Sequence, residues 1–148
     1  MTFESKAIDA IDRVIIAELR TDGRQSWREL ADRIHLSPTS TADRVRRLEA
    51  IGAITGYGAR IDGARLGRTL RALIDVSLPS DVTPERFEAD LAARGDEIVF
   101  AAFVTGAADY AIVAECEGAA GLDALIRWLK DRGAAKTESK VVLRNVIG

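Results

Sequence analysis

Residues 27–57, WRELADRIHLSPTSTADRVRRLEAIGAITGY, constrain the fold more than any other part of the chain. Trp27, Leu30, Ala31 and Ile34 recur at i, i+3, i+4 and i+7, the period of a helix with one buried stripe. Ser26 and Glu29, three residues apart, form a capping box that marks its start. Ser37 at the N-cap and Pro38 at the first helical position open a second helix. Its inward face is Thr41, Val45 and Leu48, which leaves Thr39, Ser40, Asp43, Arg44 and Arg47 outward. Gly52 ends this helix, and residues 54–61 read as a short extended wing. An earlier apolar period, Ile8, Ile11, Ile15 and Leu19, predicts a preceding helix over about residues 7–20.

A second helix with small hydroxyls near its N-terminus and arginines further along suits a DNA major groove. Hydroxyls and backbone N–H groups hold phosphates, and arginine bridges two guanine acceptors. The candidate DNA contacts are Ser37, Thr39, Ser40, Thr41, Arg44 and Arg47. The plainer alternative is a solvated helix in an ordinary small helical domain. Charge does not choose between them. The net charge is −2, with 11 basic and 10 acidic side chains in residues 1–66, and 10 and 13 in residues 67–148. Any basic footprint is therefore local, on Arg44, Arg46 and Arg47 with Arg24 and Arg28 nearby.

The second half reads strand, helix, strand, strand, helix, strand. Leu70, Ala72, Ile74, Val76 and Leu78 alternate with Arg71, Asp75 and Ser77, a half-buried strand. Thr83-Pro84 opens a helix with Phe87 and Leu91 inward. Residues 98–104 and 110–116 follow as strands around a Gly-containing turn. Leu122, Leu125, Ile126 and Leu129 form a helical stripe, and residues 137–147 close the domain as a strand. This βαββαβ order predicts a ferredoxin-like sheet with both helices on one face, an α+β chain overall. The other face stays open, yet residues 98–104 are apolar on both sides, so sheet-to-sheet dimerisation is expected.

Enzymatic readings find little support. The single histidine, His35, provides no Ser-His-Asp relay or His-rich metal site, and it sits in the turn between two helices. It is expected to serve there as a left-handed turn residue. No phosphate-cradling loop, dinucleotide fingerprint or paired-cysteine motif occurs, so no catalytic residue, cofactor or metal is expected. The lone Cys116 forms no internal disulfide and reads as a buried filler, which favours a reducing cytoplasm. No apolar run approaches the ~18 residues that span a bilayer, nor does the N-terminus carry a signal peptide's apolar segment, so no membrane partner is expected.

An ordered series of short motifs adds a resemblance that covers almost the whole chain. It runs through Ile8-Asp9-Ala10-Ile11-Asp12, Asp22-Gly23-Arg24, Leu36-Ser37-Pro38, Arg44-Val45-Arg46-Arg47-Leu48-Glu49 and Ile54-Thr55-Gly56-Tyr57, and resumes at Thr105-Gly106 and Asp109-Tyr110. In this series the chain resembles the Lrp/AsnC family, the leucine-responsive and asparagine-responsive transcriptional regulators. The resemblance implies a winged helix-turn-helix DNA-binding domain over residues 1–62, with its helix-turn-helix at about 26–50. It further implies a hinge at 63–67 and an effector-binding and oligomerisation domain at 68–148. The partners implied are double-stranded DNA, a small-molecule effector such as an amino acid, and further copies of the chain as a homodimer, tetramer or octamer.

The implied effector site is Gly106, Ala107, Ala108 and Asp109 with Thr137 and Ser139. There Asp109 pairs with an ammonium group rather than holding the fold, while backbone N–H groups and hydroxyls take a carboxylate. The family's turn often carries an Asp and an aromatic where this chain has Ala107 and Ala108, which removes a charge and a packing surface. Two rival functions remain open. A sirohaem decarboxylase subunit has a similar length and layout, and a ligand-binding module without DNA activity would need no outward arginines.

Overall fold

The computed structural model describes residues 7–146, in two compact units that divide between Arg60 and Ile61. In the first unit, α1 (Ala10–Thr21) begins at a capping box that its apolar period does not reveal. The Asp12 N–H donates to Asp9 Oδ1 (2.8 Å), and the Asp9 N–H donates to Asp12 Oδ2 (3.0 Å). These caps start the helix later than expected and leave Ile8 outside it and exposed. Helix α2 (Trp27–Ile34) starts at the predicted Ser26–Glu29 capping box. Its stripe begins at Leu30, because Trp27 lies in the first turn with 44% of its surface exposed. His35 ends α2 at φ 56° and ψ 42°, the left-handed conformation expected of it.

Helix α3 (Pro38–Ala50) is capped at its start by Ser37, whose Oγ accepts from the Ser40 N–H. At its end Gly52 takes φ 75°, and two bonds close a Schellman motif, Gly52 N–H to Glu49 O and Ala53 N–H to Leu48 O. The three helices meet over Ile15, Leu19, Leu30, Val45 and Leu48. The expected wing is corrected by the structure. Residues 54–61 form no strand, since no described strand lies beside them, and the segment is tied instead by the Tyr57 hydroxyl donating to Glu49 (2.8 Å).

The second unit opens with a 3-10 turn, Gly63–Leu66, where residues 63–67 read as a hinge from sequence. There follow β1 (Leu70–Ser77), α4 (Pro84–Ala93), β2 (Ile98–Phe103), β3 (Tyr110–Cys116), α5 (Gly118–Asp131) and β4 (Lys136–Val141). The sheet order β2-β3-β1-β4, antiparallel throughout, is the βαββαβ arrangement that the sequence predicts. The expected last strand, 137–147, is shorter in the structure: β4 ends at Val141 and residues 142–146 form no strand, while Ile147 lies outside the described residues.

One sheet face packs Ala72, Ile74, Val76, Tyr110, Ile112 and Ala114 against Phe87 and Leu91 of α4 and Leu122, Leu125 and Leu129 of α5. Cys116 lies buried in this core. The opposite face carries two rows set by register. Phe100, Val113, Leu73 and Lys140 lie across the four strands in one, and Ala102, Ala111, Asp75 and Glu138 in the next. Near its border Arg71 pairs with the buried Glu115 (Nε to Oε1, 3.1 Å). The Glu115 carboxylate fits against Gly63 so closely that a Cβ there would stand 2.2 Å from Oε2.

Candidate DNA interface and ligand site

The residues proposed for DNA contact divide into three groups on α3. Ser37, Thr39 and Ser40 are exposed at its N-terminus, where helix N–H groups already favour an anion. Thr41 is buried on the inward face, as its period predicts, and its hydroxyl donates to the Ser37 carbonyl (2.9 Å), so its expected role as a DNA contact is corrected: it stabilises the first turn. Arg44 and Arg47 face outward less than their helical period suggests. Their side chains are only 26% exposed because both turn toward α1. Arg44 Nη1 donates to Asp9 Oδ2 (2.7 Å) and Asp12 Oδ1 (2.8 Å), and Arg47 Nη2 donates to Asp12 Oδ2 (2.5 Å).

Asp12 is the centre of this arrangement and has no exposed side-chain surface. Burial pushes its carboxyl pKa up, but hydrogen bonds from Arg47, the Asp9 N–H and Arg44 together outweigh it and hold the group at about 2. Two helical arginines and a carboxylate beneath them therefore fasten α3 to α1. Sequence reasoning placed the arginines by helical period alone, and a helical wheel does not show what stands across the gap. The motif Asp9-x-x-Asp12 was the available signal, since an acidic pair at a helix start needs a cation if it is buried. Arg46, which sequence reasoning left out of the contacts, is 70% exposed, and its Nη1 donates to Asp43 Oδ1 (2.9 Å).

The expected effector residues are split by the sheet. Ala107 and Ala108 line a cavity of about 250 Å³ with Asp75, Ser77, Val104, Thr105, Lys136 and Glu138. Thr137 and Ser139 stand opposite Val76 and Ile74, which puts them on the helix-covered face instead. Gly106 takes φ 127° in the turn that joins β2 and β3. Asp75 and Glu138 bring carboxylates to the cavity and Lys136 an ammonium, with Lys140 bound to Asp75 (2.5 Å) at its border.

Asp109 is tied into the fold more firmly than expected. Its Oδ2 accepts from the Leu78 N–H (2.8 Å), its own N–H donates to Val76 O, and its carbonyl accepts from the Val104 N–H. The residue stitches the end of β1 to the β2–β3 turn. Asp109→Ala is therefore expected to destabilise the protein by about 1.5–3 kcal/mol, the range for a hydrogen bond to a charged group. Thermal or urea melts of the ligand-free variant test this, and a melt that matches wild type would return Asp109 to the effector.

Among the described residues, no helix is long and apolar enough to cross a membrane, and no group of His, Cys, Asp or Glu side chains is placed to hold a metal ion. Comparison with known proteins matches residues 8–49 to the AsnC-type helix-turn-helix domain and residues 71–148 to the Lrp/AsnC ligand binding domain. The chain is 33% identical to the transcriptional regulator LrpA of Mycobacterium tuberculosis over 94% of its own length and 92% of that protein's. It is 32% identical to the regulator LrpC of Bacillus subtilis over 94% of each chain. The solved structure of LrpC superposes with a TM-score of 0.87, covering 95% of this chain and 98% of that one. A feast or famine regulatory protein from M. tuberculosis, solved in complex with L-methionine, gives 0.87 at 31% identity over 96% of each. These relatives are regulators rather than enzymes, which sets aside the decarboxylase reading. The chain belongs to the Lrp/AsnC family of transcriptional regulators, with a DNA-binding and a ligand-binding domain.

Proposed function

We propose that this regulator binds operator DNA sequence-specifically as a dimer or larger assembly, and that an amino acid biases that binding. The observation that carries the effector reading is the cavity at the β2–β3 turn. It offers carboxylates for an ammonium group (Asp75 and Glu138, which share Lys140 as counter-ion), Lys136 for a carboxylate, and Val104, Ala107 and Ala108 for an apolar side chain. It opens on the sheet face that the helices leave bare, so a second copy of the chain would close it. The M. tuberculosis relative solved with L-methionine supports the ligand class. The apolar row Phe100–Val113–Leu73 supports self-association through the same face, because a water-facing sheet would alternate more strictly. A two-fold dimer presents two α3 helices to half-sites one helical turn, or a multiple of it, apart.

A thermal-shift screen of the full chain against the common amino acids, L-methionine and L-leucine first, tests the effector. Binding to the native state raises its apparent stability by mass action, so the cognate amino acid is expected to shift the melt upward. An absence of any shift at millimolar concentrations would sink the amino-acid reading. Enrichment of one motif from random double-stranded DNA tests the operator reading separately, and a pool that stays random would sink that one.

A further inference from the structure

We infer that the base-reading edge of α3 is the stripe Thr39–Asp43–Arg46, and that Arg44 and Arg47 frame this edge rather than read sequence. The inference rests on the DNA-binding reading above and assigns its specificity to particular side chains. Helical geometry comes first. Thr39, Asp43, Arg46 and Ala50 recur at i, i+4, i+7 and i+11, one line along the helix, and all four are exposed. This line lies opposite the buried set Thr41, Ala42, Val45 and Leu48. The parallel line Ser40–Arg44–Arg47 is turned about 100° away, toward α1. There the guanidinium groups of Arg44 and Arg47 are engaged by Asp9 and Asp12.

The chemistry of the exposed line then fits a groove. Asp43 holds Arg46 through one Nη1 bond of 2.9 Å, which leaves the rest of the guanidinium fork for guanine O6 and N7. A guanidinium already held by its neighbour also loses less freedom when it docks. Asp43 accepts from a cytosine N4 amine and repels phosphates, so it favours a cognate placement by penalising the others. Thr39, near the N-terminus where recognition helices approach the bases, presents a methyl for thymine and a hydroxyl for phosphate. Ala50, at the far end, is too small to hold the helix away from the groove.

The test compares full-length wild type, Arg46→Ala, Arg46→Lys and Asp43→Ala by enrichment from random duplex DNA, followed by titration of the selected motif and a scrambled duplex. All three substitutions are on exposed side chains, and thermal melts confirm that the variants fold. Arg46→Ala and Arg46→Lys are expected to lose discrimination at a G·C pair by roughly 5- to 150-fold, Lys included because it lacks the bidentate fork. Asp43→Ala is expected to bind scrambled DNA more tightly while its motif broadens. If Arg46→Lys keeps the wild-type motif, or Arg46→Ala weakens every sequence equally with a shallower salt dependence, Arg46 grips phosphate and the inference is overturned. Failure of wild type to enrich any motif would instead overturn the operator reading on which it stands.

Discussion

Replacing Arg44 and Arg47 together by Ala is expected to destabilise the N-terminal unit by about 3–5 kcal/mol, enough to unfold a marginal three-helix unit. The reason is the charge left behind. Asp12 has no exposed surface, and both guanidinium groups that satisfy it would be gone. Either single substitution leaves one arginine in place and is expected to cost less. Adding Asp12→Leu to the double variant removes the stranded carboxylate, so most of the loss is expected to return, apart from the capping bond from the Asp9 N–H. Circular-dichroism melts measure both. A double variant that melts with wild type would show that the arginines do not fasten α3 to α1.

The same group gives a pH signature. A carboxyl held at about 2 in the fold, against 3.8 ordinarily, stabilises the native state only while it is ionised. Its contribution is complete above the ordinary value and fades as pH falls toward 2. The gap in melting temperature between wild type and Asp12→Asn is therefore expected to narrow across that window. The practical consequence is that loss of DNA binding in Arg44 or Arg47 variants does not by itself identify a base contact. Such variants need a stability measurement beside the binding one.

Leu73→Glu is expected to weaken self-association by about 1,000-fold. The change occurs twice in a two-fold dimer, and about 4 kcal/mol in all for two desolvated, unpaired carboxylates is a conservative figure. Leu73 sits mid-row between Val113 and Lys140 on the open sheet face, and its exposure in the single chain means the substitution leaves the protomer's own core intact. Sedimentation or light scattering at tens of micromolar is expected to find assemblies for wild type and monomers for the variant. A monomeric wild type would overturn self-association, and an unchanged variant would place the interface elsewhere.

The parts of the fold that sequence reveals are those set by neighbours in the chain. Ser26 with Glu29, Ser37-Pro38, the left-handed His35 and the Gly52 terminus each announce themselves within a few residues, and the helix and strand periods of residues 70–131 give the order of the second unit. What stayed hidden depends on partners far along the chain. The Asp12 clamp joins groups more than thirty positions apart, and Asp109 finds its donor at Leu78 across the sheet. Thr137 and Ser139 were grouped with Ala107 and Ala108 because a strand's faces exchange with every residue of register. Pairing of Thr137 with Val76, which no local pattern specifies, is what separates Thr137 and Ser139 from the cavity.

The fit of Gly63 against Glu115, and of Glu115 against Arg71, links three distant positions into one unit of inheritance. A side chain at 63 would displace Oε2 of the Glu115 carboxylate, and the displacement disturbs the Oε1 that Arg71 binds. A lineage abandons glycine there most readily once position 115 has shortened, and that change in turn removes the reason to keep arginine at 71. Drift at these sites is ordered in time: position 115 should change first, and the glycine and the arginine are released only afterwards.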